Sequence, residues 1–234
     1  MADTIYNEIL TLSHSHISYE ESNKGHIKMS HKLVPLSIKR AEFEYIKNLI
    51  VTYNLQRGFE IGTAFGVSTL AAAIGFHATG GELISMDAYV EEHYEDAGLY
   101  RNRGIEIFTE SDGYQSANFL LQHFEVRKSV HLRYGWSPRD VPHHINDTFG
   151  NSGLDFVFID AGHFPEQIIQ DVRTIAPFLR DEFAVVFHDV YETFEPIYGE
   201  IESLLGVKLE VVIPYPLGEN LGIATTYAID SPSR

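Results

Sequence analysis

Two apolar runs of this sequence stop abruptly in groups that can do chemistry. LDFVFIDAGH (154–163) ends in Asp160 and His163, and FAVVFHDV (183–190) ends in His188 and Asp189. A carboxylate can hold a cation, anchor a ligand or take a proton. Imidazole, with an unperturbed pKa of about 6.5, exchanges a proton near neutrality. Whether the four groups act together depends on whether the two runs lie side by side.

Three other stretches have a similar form. FEIGTAFGVST (59–69) reads E-x-G-x-x-x-G, with Glu60 inside an apolar run and Gly62 and Gly66 after it. Glycines there permit a tight turn and leave backbone N–H groups free at the start of a helix. The second glycine of a dinucleotide fingerprint would fall at Ala64, so that fingerprint is absent. An acid at this place disfavours a pyrophosphate and suits a ligand carrying an ammonium group. ELISMD (82–87) ends in Asp87, which is placed to accept hydrogen bonds from both hydroxyls of a ribose. HLRYGWSPRD (131–140) puts Gly135, the single tryptophan Trp136 and Ser137 at its exit, an aromatic face and a hydroxyl suited to an adenine ring. Simple packing accounts for any one of these; together they match three parts of one nucleoside ligand.

The elements that must position these groups alternate along the chain. Phe43, Ile46, Ile50 and Tyr53 predict a helix with Ser37 as its N-cap. Strands are expected at 58–62, 82–87, 129–135, 154–160 and 183–189. Helical spacing marks 67–76 and 113–126, a helix opening at Pro165 with Ile168, Val172, Ile175 and Leu179 on one side, and another carrying Ile197, Ile201 and Leu204. Two last strands, 209–215 and 223–229, follow without a helix between them. The expected fold is α/β, Rossmann-like: a mostly parallel sheet, helices on both faces, and a C-terminal antiparallel hairpin. In such a sheet the runs ending at Asp160 and Asp189 are neighbours. A carboxylate pair with imidazole on an apolar floor is costly to leave unpaired. A divalent cation would remove that cost, and an oxygen-rich mixed set suits Mg²⁺, Ca²⁺ or Mn²⁺.

No repeat or Pro/Gly linker divides the chain, so residues 35–234 read as one domain. Residues 1–34 read as a polar, aperiodic extension with little claim to the core, a lid or an oligomer arm. An acidic, tyrosine-bearing insertion spans 88–113, either a lid over the substrate or a solvated loop. The 234 residues carry 17 Lys+Arg against 33 Asp+Glu, a formal charge of −16 with no basic stripe, which argues against a nucleic-acid partner. The absence of cysteine excludes disulfides, thiolate metal sites and a Cys nucleophile. No signal peptide or membrane-spanning run is read, and a cytoplasmic location is the default expectation. The pairs His14/His16 and His143/His144 read as solvated loop histidines.

Over residues 40 to 230 the sequence resembles the class I S-adenosylmethionine-dependent methyltransferases. FEIGTAFGVS is similar to that family's first motif, ELISMD to its second and YGWSPRD to its third. The resemblance implies a seven-stranded sheet with the last strand antiparallel. It assigns Glu60, Gly62 and Ser68, with Thr63 and Gly66 in the same turn, to the methionine moiety. Asp87 falls to the ribose, and Gly135, Trp136 and Ser137 to the adenine, with Asp160 close to the sulfonium. The two strand ends look most like the metal-assisted O-methyltransferases, the catechol type and the sugar O-methyltransferases of antibiotic pathways. That likeness puts the metal ligands at Asp160, His188 and Asp189. It also puts His163 where a general-base lysine stands in the catechol enzymes; a helix cap is the other reading of His163. The catechol enzymes have an acid then an amide at the fifth strand, and this chain has His188-Asp189. The change either shifts the metal from Mg²⁺ toward Mn²⁺ or Fe²⁺ or takes His188 out of the ligand set. The implied activity is methyl transfer to a small hydroxylated molecule. A metal-free N-, C- or O-methyltransferase, a non-catalytic nucleoside- or partner-binding module and, more distantly, a nicotinamide-linked dehydrogenase are its rivals.

Overall fold

The computed structural model describes residues 2–15, 27–28, 38–89, 105–106, 110–162, 164–190, 192–214 and 221–228. Its main sheet has seven strands: β1 Arg57–Ile61, β2 Glu82–Asp87, β3 Val130–Tyr134, β4 Leu154–Ile159, β5 Leu179–Phe187, β6 Leu209–Val212 and β7 Leu221–Thr225. They lie in the order β3-β2-β1-β4-β5-β7-β6. The first five are parallel; β7 runs antiparallel to both β5 and β6, which is the expected terminal hairpin.

The helices are α1 Ala2–Ser15, α2 Arg40–Thr52, α3 Val67–Thr79, α4 Glu110–His123, α5 Val141–Phe149, α6 Pro165–Ile175 and α7 Tyr198–Leu205. Side chains alternate across a strand, so β4 serves two cores at once. Phe156 and Phe158 join Phe43, Ile46, Leu70, Phe76 and Leu120 beneath α1–α4. Val157 and Ile159 join Ile145, Val172, Ile201 and Phe187 beneath α5–α7. Each such side chain, fully buried, contributes roughly 1.5–3 kcal/mol. The helices therefore change faces between β1 and β4, and that reversal opens a crevice above the strand ends.

Four expectations need correction. The helix that opens at Pro165 stops at Ile175, and Leu179 begins β5 instead of extending the helix's apolar side. Residues 1–34 do reach the core: α1 buries Tyr6 and Ile9, at 6% and 0% exposure, against α2. The Tyr6 hydroxyl donates to the Ile38 carbonyl (2.9 Å), and its ring meets Phe43 edge-on. The N-cap of α2 is Lys39, whose backbone N–H donates to Glu42 Oε2 (2.6 Å); Ser37 lies outside the described residues. Helix α5 was not among the expected elements. Two-residue strands Ile27–Lys28 and Ile105–Glu106 pair in parallel, which joins the N-terminal segment to the 88–113 insertion. Among the described residues no helix is long and apolar enough to cross a membrane.

Candidate active site

The five parallel strands end in one row, tied by backbone bonds from each exit to its neighbour. Gly135 N donates to Asp87 O (3.0 Å), Gly62 N to Met86 O (2.9 Å), Asp160 N to Ile61 O (2.9 Å) and His188 N to Ile159 O (3.1 Å). Gly62, Asp87, Gly135, Asp160 and His188 sit on this row because the register puts them there.

At its centre Gly62 takes φ +101°, and a Cβ on it would lie 2.1 Å from the Asp160 carbonyl oxygen. Only glycine lets the β1 turn lie against the β4 exit. Ala64, also left-handed at φ +44°, directs its N–H at Asp87 Oδ2 (2.8 Å), and Tyr89 N donates to Oδ1 (2.7 Å). Burial raises the Asp87 pKa, and these backbone donors pull against it. A carboxylate has about four acceptor positions, so Asp87 keeps capacity for further donors. Gly66 has a different use: at φ +86° it admits Ala117 of α4, whose Cα a Cβ would meet at 2.6 Å. Gly135 is likewise walled by Met86 and His144.

Glu60, Thr63 and Ser68 turn their side chains inward, at 0%, 0% and 2% exposure. Glu60 accepts from Ser68 (2.7 Å), Thr69 (2.5 Å) and Ser85 (2.5 Å), and Thr63 Oγ1 pairs with Ser85 Oγ (2.6 Å). Burial pushes the Glu60 carboxyl up from 4.5 to about 7, although the three hydroxyls oppose it. Between these values the folded protein holds a proton that the unfolded chain releases, so stability falls as pH rises through that window. The effect is worth about 3 kcal/mol. Glu60→Gln should therefore melt about 6–12 °C above wild type at pH 8 and nearly level with it at pH 5. A difference that does not change with pH would assign the effect elsewhere.

Beyond β3, Trp136 is 37% exposed at the rim. Its backbone N–H donates to Asp140 Oδ2 (2.8 Å). The Ser137 hydroxyl donates to Asp171 of α6, which is fully buried and whose pKa burial raises to about 6. Asp171 escaped the sequence reading. Its signal is an acid on the Ile168–Ile175 apolar stripe.

Asp160, His188 and Asp189 come together. One donor atom from each lies within 4.8 Å of the others, the one such His/Asp/Glu group among the described residues. His188 Nδ1 is 3.3 Å from Asp160 Oδ1 and 3.3 Å from Asp189 Oδ1. Asp189 adopts φ +54°, a left-handed backbone that Asp tolerates better than most residues and that concentrates at functional sites. Donors about 2.1 Å from one small divalent ion sit roughly 3 Å apart when adjacent, so this set fits such an ion. On the far side of the ring, His188 Nε2 is 3.4 Å from Glu42 Oε2. Burial alone would lower the His188 pKa; the Asp160, Asp189 and Glu42 carboxylates outweigh it and raise it. Glu42 also escaped the sequence reading, although it stands four residues before Ile46 on the buried stripe of α2. His143 and His144 form no such set, and His144 Nε2 contacts the Tyr134 carbonyl. His163 lies outside the described residues.

This strand order, with its reversed hairpin and a crevice at the β1/β4 switch, is the fold of class I S-adenosylmethionine-dependent methyltransferases. The chain belongs to the methyltransferase-domain family, whose model matches residues 59–190, more than half of its length. No curated protein matches the sequence. Among solved structures it is similar to cofactor-bound Rv0187 from MTB, at 15% identity over 95% of this chain and 89% of that one, TM-score 0.62. The O-methyltransferase from Bacillus cereus, in complex with SAH, aligns at 14% identity over 95% and 90%, TM-score 0.61. The O-methyltransferase TomG from Streptomyces achromogenes, involved in tomaymycin synthesis and in complex with SAM, aligns at 16% over 93% and 88%, TM-score 0.58. At these identities the likeness is one of fold.

Proposed function

We propose that this methyltransferase uses S-adenosylmethionine to methylate an oxygen of a small hydroxylated molecule, with a divalent cation held by Asp160, His188 and Asp189. The observation that carries this reading is the convergence of those three donors at the β4 and β5 exits, next to the Gly62 turn. The O-methyltransferase neighbours and their bound SAH or SAM agree with it.

The chain's own residues mainly position the reactants and exclude water. The backbone of the Gly62 turn borders the place for the methionine part, Asp87 offers acceptors to the ribose, and Trp136 presents its ring to the adenine. Glu60, Thr63 and Ser68 support the turn from below, and Ser137 is held by Asp171. A cation in the triad would lower the pKa of a bound substrate hydroxyl. His163, three residues past Asp160, is the proposed proton acceptor. The single nitrogen donor favours Mn²⁺ or Fe²⁺ beside Mg²⁺, with Ca²⁺ the least suited.

Thermal melts with S-adenosylhomocysteine and with NAD test the cofactor. S-adenosylhomocysteine at 100 times its dissociation constant should add about 2.7 kcal/mol of stability, and NAD none. No stabilisation by S-adenosylhomocysteine refutes the reading. Methyl transfer to a panel of catechols, sugars and alcohols should stop in excess EDTA and return with Mn²⁺ or Mg²⁺; transfer that survives EDTA establishes the metal-free alternative.

A further inference from the structure

We propose that Glu42 is a positioning residue of the metal centre: it accepts the Nε2–H of His188 and so turns the Nδ1 lone pair toward the ion between Asp160 and Asp189. This inference rests on the metal reading above and extends it to a helix outside the sheet.

The two nitrogens of His188 have unlike surroundings. Nδ1 faces two carboxylate oxygens at 3.3 Å each, whereas Nε2 faces Glu42 alone of the three acids that reach the ring. A neutral imidazole donates from one nitrogen and accepts at the other, and the partner of one decides what the other can do. With a cation between Asp160 and Asp189, Nδ1 gives up its proton to make room for the ion, and Glu42, which only accepts, keeps the remaining proton on Nε2. Nδ1 is then the nitrogen left to ligate. At 3.4 Å the contact is long for a hydrogen bond, but both groups are buried, His188 at 5% exposure and Glu42 at 0%. In that surrounding the carboxylate has strong reason to keep a donor. A carboxylate behind a metal-bound histidine is a recurrent way of fixing ring orientation and raising ligand basicity.

Glu42 is itself held. The same Oε2 accepts the Lys39 backbone N–H at 2.6 Å in the first turn of α2, where the helix dipole favours a negative charge. One residue earlier, the Ile38 carbonyl accepts the Tyr6 hydroxyl. Helix α1 thus pins the peptide that pins Glu42. On the other side α2 lies so close to α3 that a Cβ on Gly75 would meet Ile50 at 2.9 Å. Glu42 reaches His188 across 146 residues of sequence from a rigidly packed helix.

The test titrates the full chain with Mn²⁺ alone, comparing wild type, Glu42→Gln, Glu42→Leu and His188→Asn, with S-adenosylhomocysteine binding as a check on folding. Glu42→Gln and Glu42→Leu should weaken Mn²⁺ about 10–100-fold while S-adenosylhomocysteine binds as in wild type. Mn²⁺ affinity within twofold of wild type in both, with His188→Asn impaired, overturns the role of Glu42 and leaves the metal centre standing. No Mn²⁺ binding by wild type, or wild-type affinity in His188→Asn, refutes the ligand set and Glu42's role with it. Long-range ¹H–¹⁵N spectra of the wild-type protein loaded with Zn²⁺ need no variant: His188 should show a protonated Nε2 and a ligating Nδ1. The reverse pattern overturns the proposal.

Discussion

Asp160→Ala is expected to cut methyl transfer about 1000-fold and to weaken Mn²⁺ binding to a similar degree. Asp160 is the residue on which three parts of the site converge. Its N–H donates to Ile61, its carbonyl abuts the Gly62 turn, and its carboxylate faces His188. Alanine keeps both backbone contacts and deletes the carboxylate alone. The loss therefore reads out the side chain's chemistry without collapse of the turn. Losing one preorganised charged group at the reacting atoms costs about 2.7–4 kcal/mol of transition-state stabilisation. Each 1.36 kcal/mol is a factor of ten in rate, which sets the size of the effect. The measurement is kcat/KM with the best acceptor from the panel, next to a Mn²⁺ titration. A change of less than tenfold in both would show that the β4 carboxylate neither binds the ion nor serves the reaction.

Among the described residues, Gly62→Ala should be the most damaging single-methyl change. The added Cβ would sit 2.1 Å from the Asp160 carbonyl oxygen and 2.6 Å from its carbon, at a backbone φ of +101°. Those are main-chain atoms in the middle of a sheet and cannot swing aside. A cost of at least 4 kcal/mol is expected, a fall in Tm of about 10 °C or more, with the S-adenosylhomocysteine response lost. Gly80→Ala is the control. It also has a left-handed φ, +75°, but nothing lies within 4 Å of the added carbon, so it should cost only about 1 kcal/mol of backbone strain. Equal Tm values for the two variants would mean that the clash at Gly62 is relieved and that the turn is not clamped to β4.

Much of this architecture is legible in the sequence because β4 and β5 are buried on both faces. LDFVFI and FAVVF are apolar at every step except Asp155, and such runs belong to a parallel sheet. Their ends follow directly, which is why Asp160, His188 and Asp189 can be named before any coordinates exist. The first helix is harder to see. Ile5, Tyr6, Ile9 and Leu12 carry the helical spacing of α1, but among polar residues and ahead of a long polar stretch. Helix α5 has only Val141 and Ile145 on its buried side. The cage around Glu60 depends on β1–β2 register, which places Ser85 opposite it, and a single strand does not display its register. Glu42 is hidden for another reason. An acid on an apolar stripe announces that something meets it, but only the folded chain shows that the partner lies 146 residues away.

The position of β1 has a consequence for how the molecule is made. Its neighbour on one side, β2, follows at once, but its neighbour on the other, β4, is still unsynthesised when β1 emerges. The Asp155 carboxylate bonds the N–H groups of Gln56 and Arg57 from 99 and 98 residues downstream. At a translation rate of roughly 5–20 residues per second, β1 waits about 5–20 s with an open hydrogen-bonding edge and with Phe59 and Ile61 uncovered. A nascent chain that has emerged only as far as about residue 150 would display a three-stranded half-sheet, a species apt to aggregate or to recruit a chaperone. Its half of the cofactor crevice would be in place, and neither Asp160 nor Asp189 would yet have emerged.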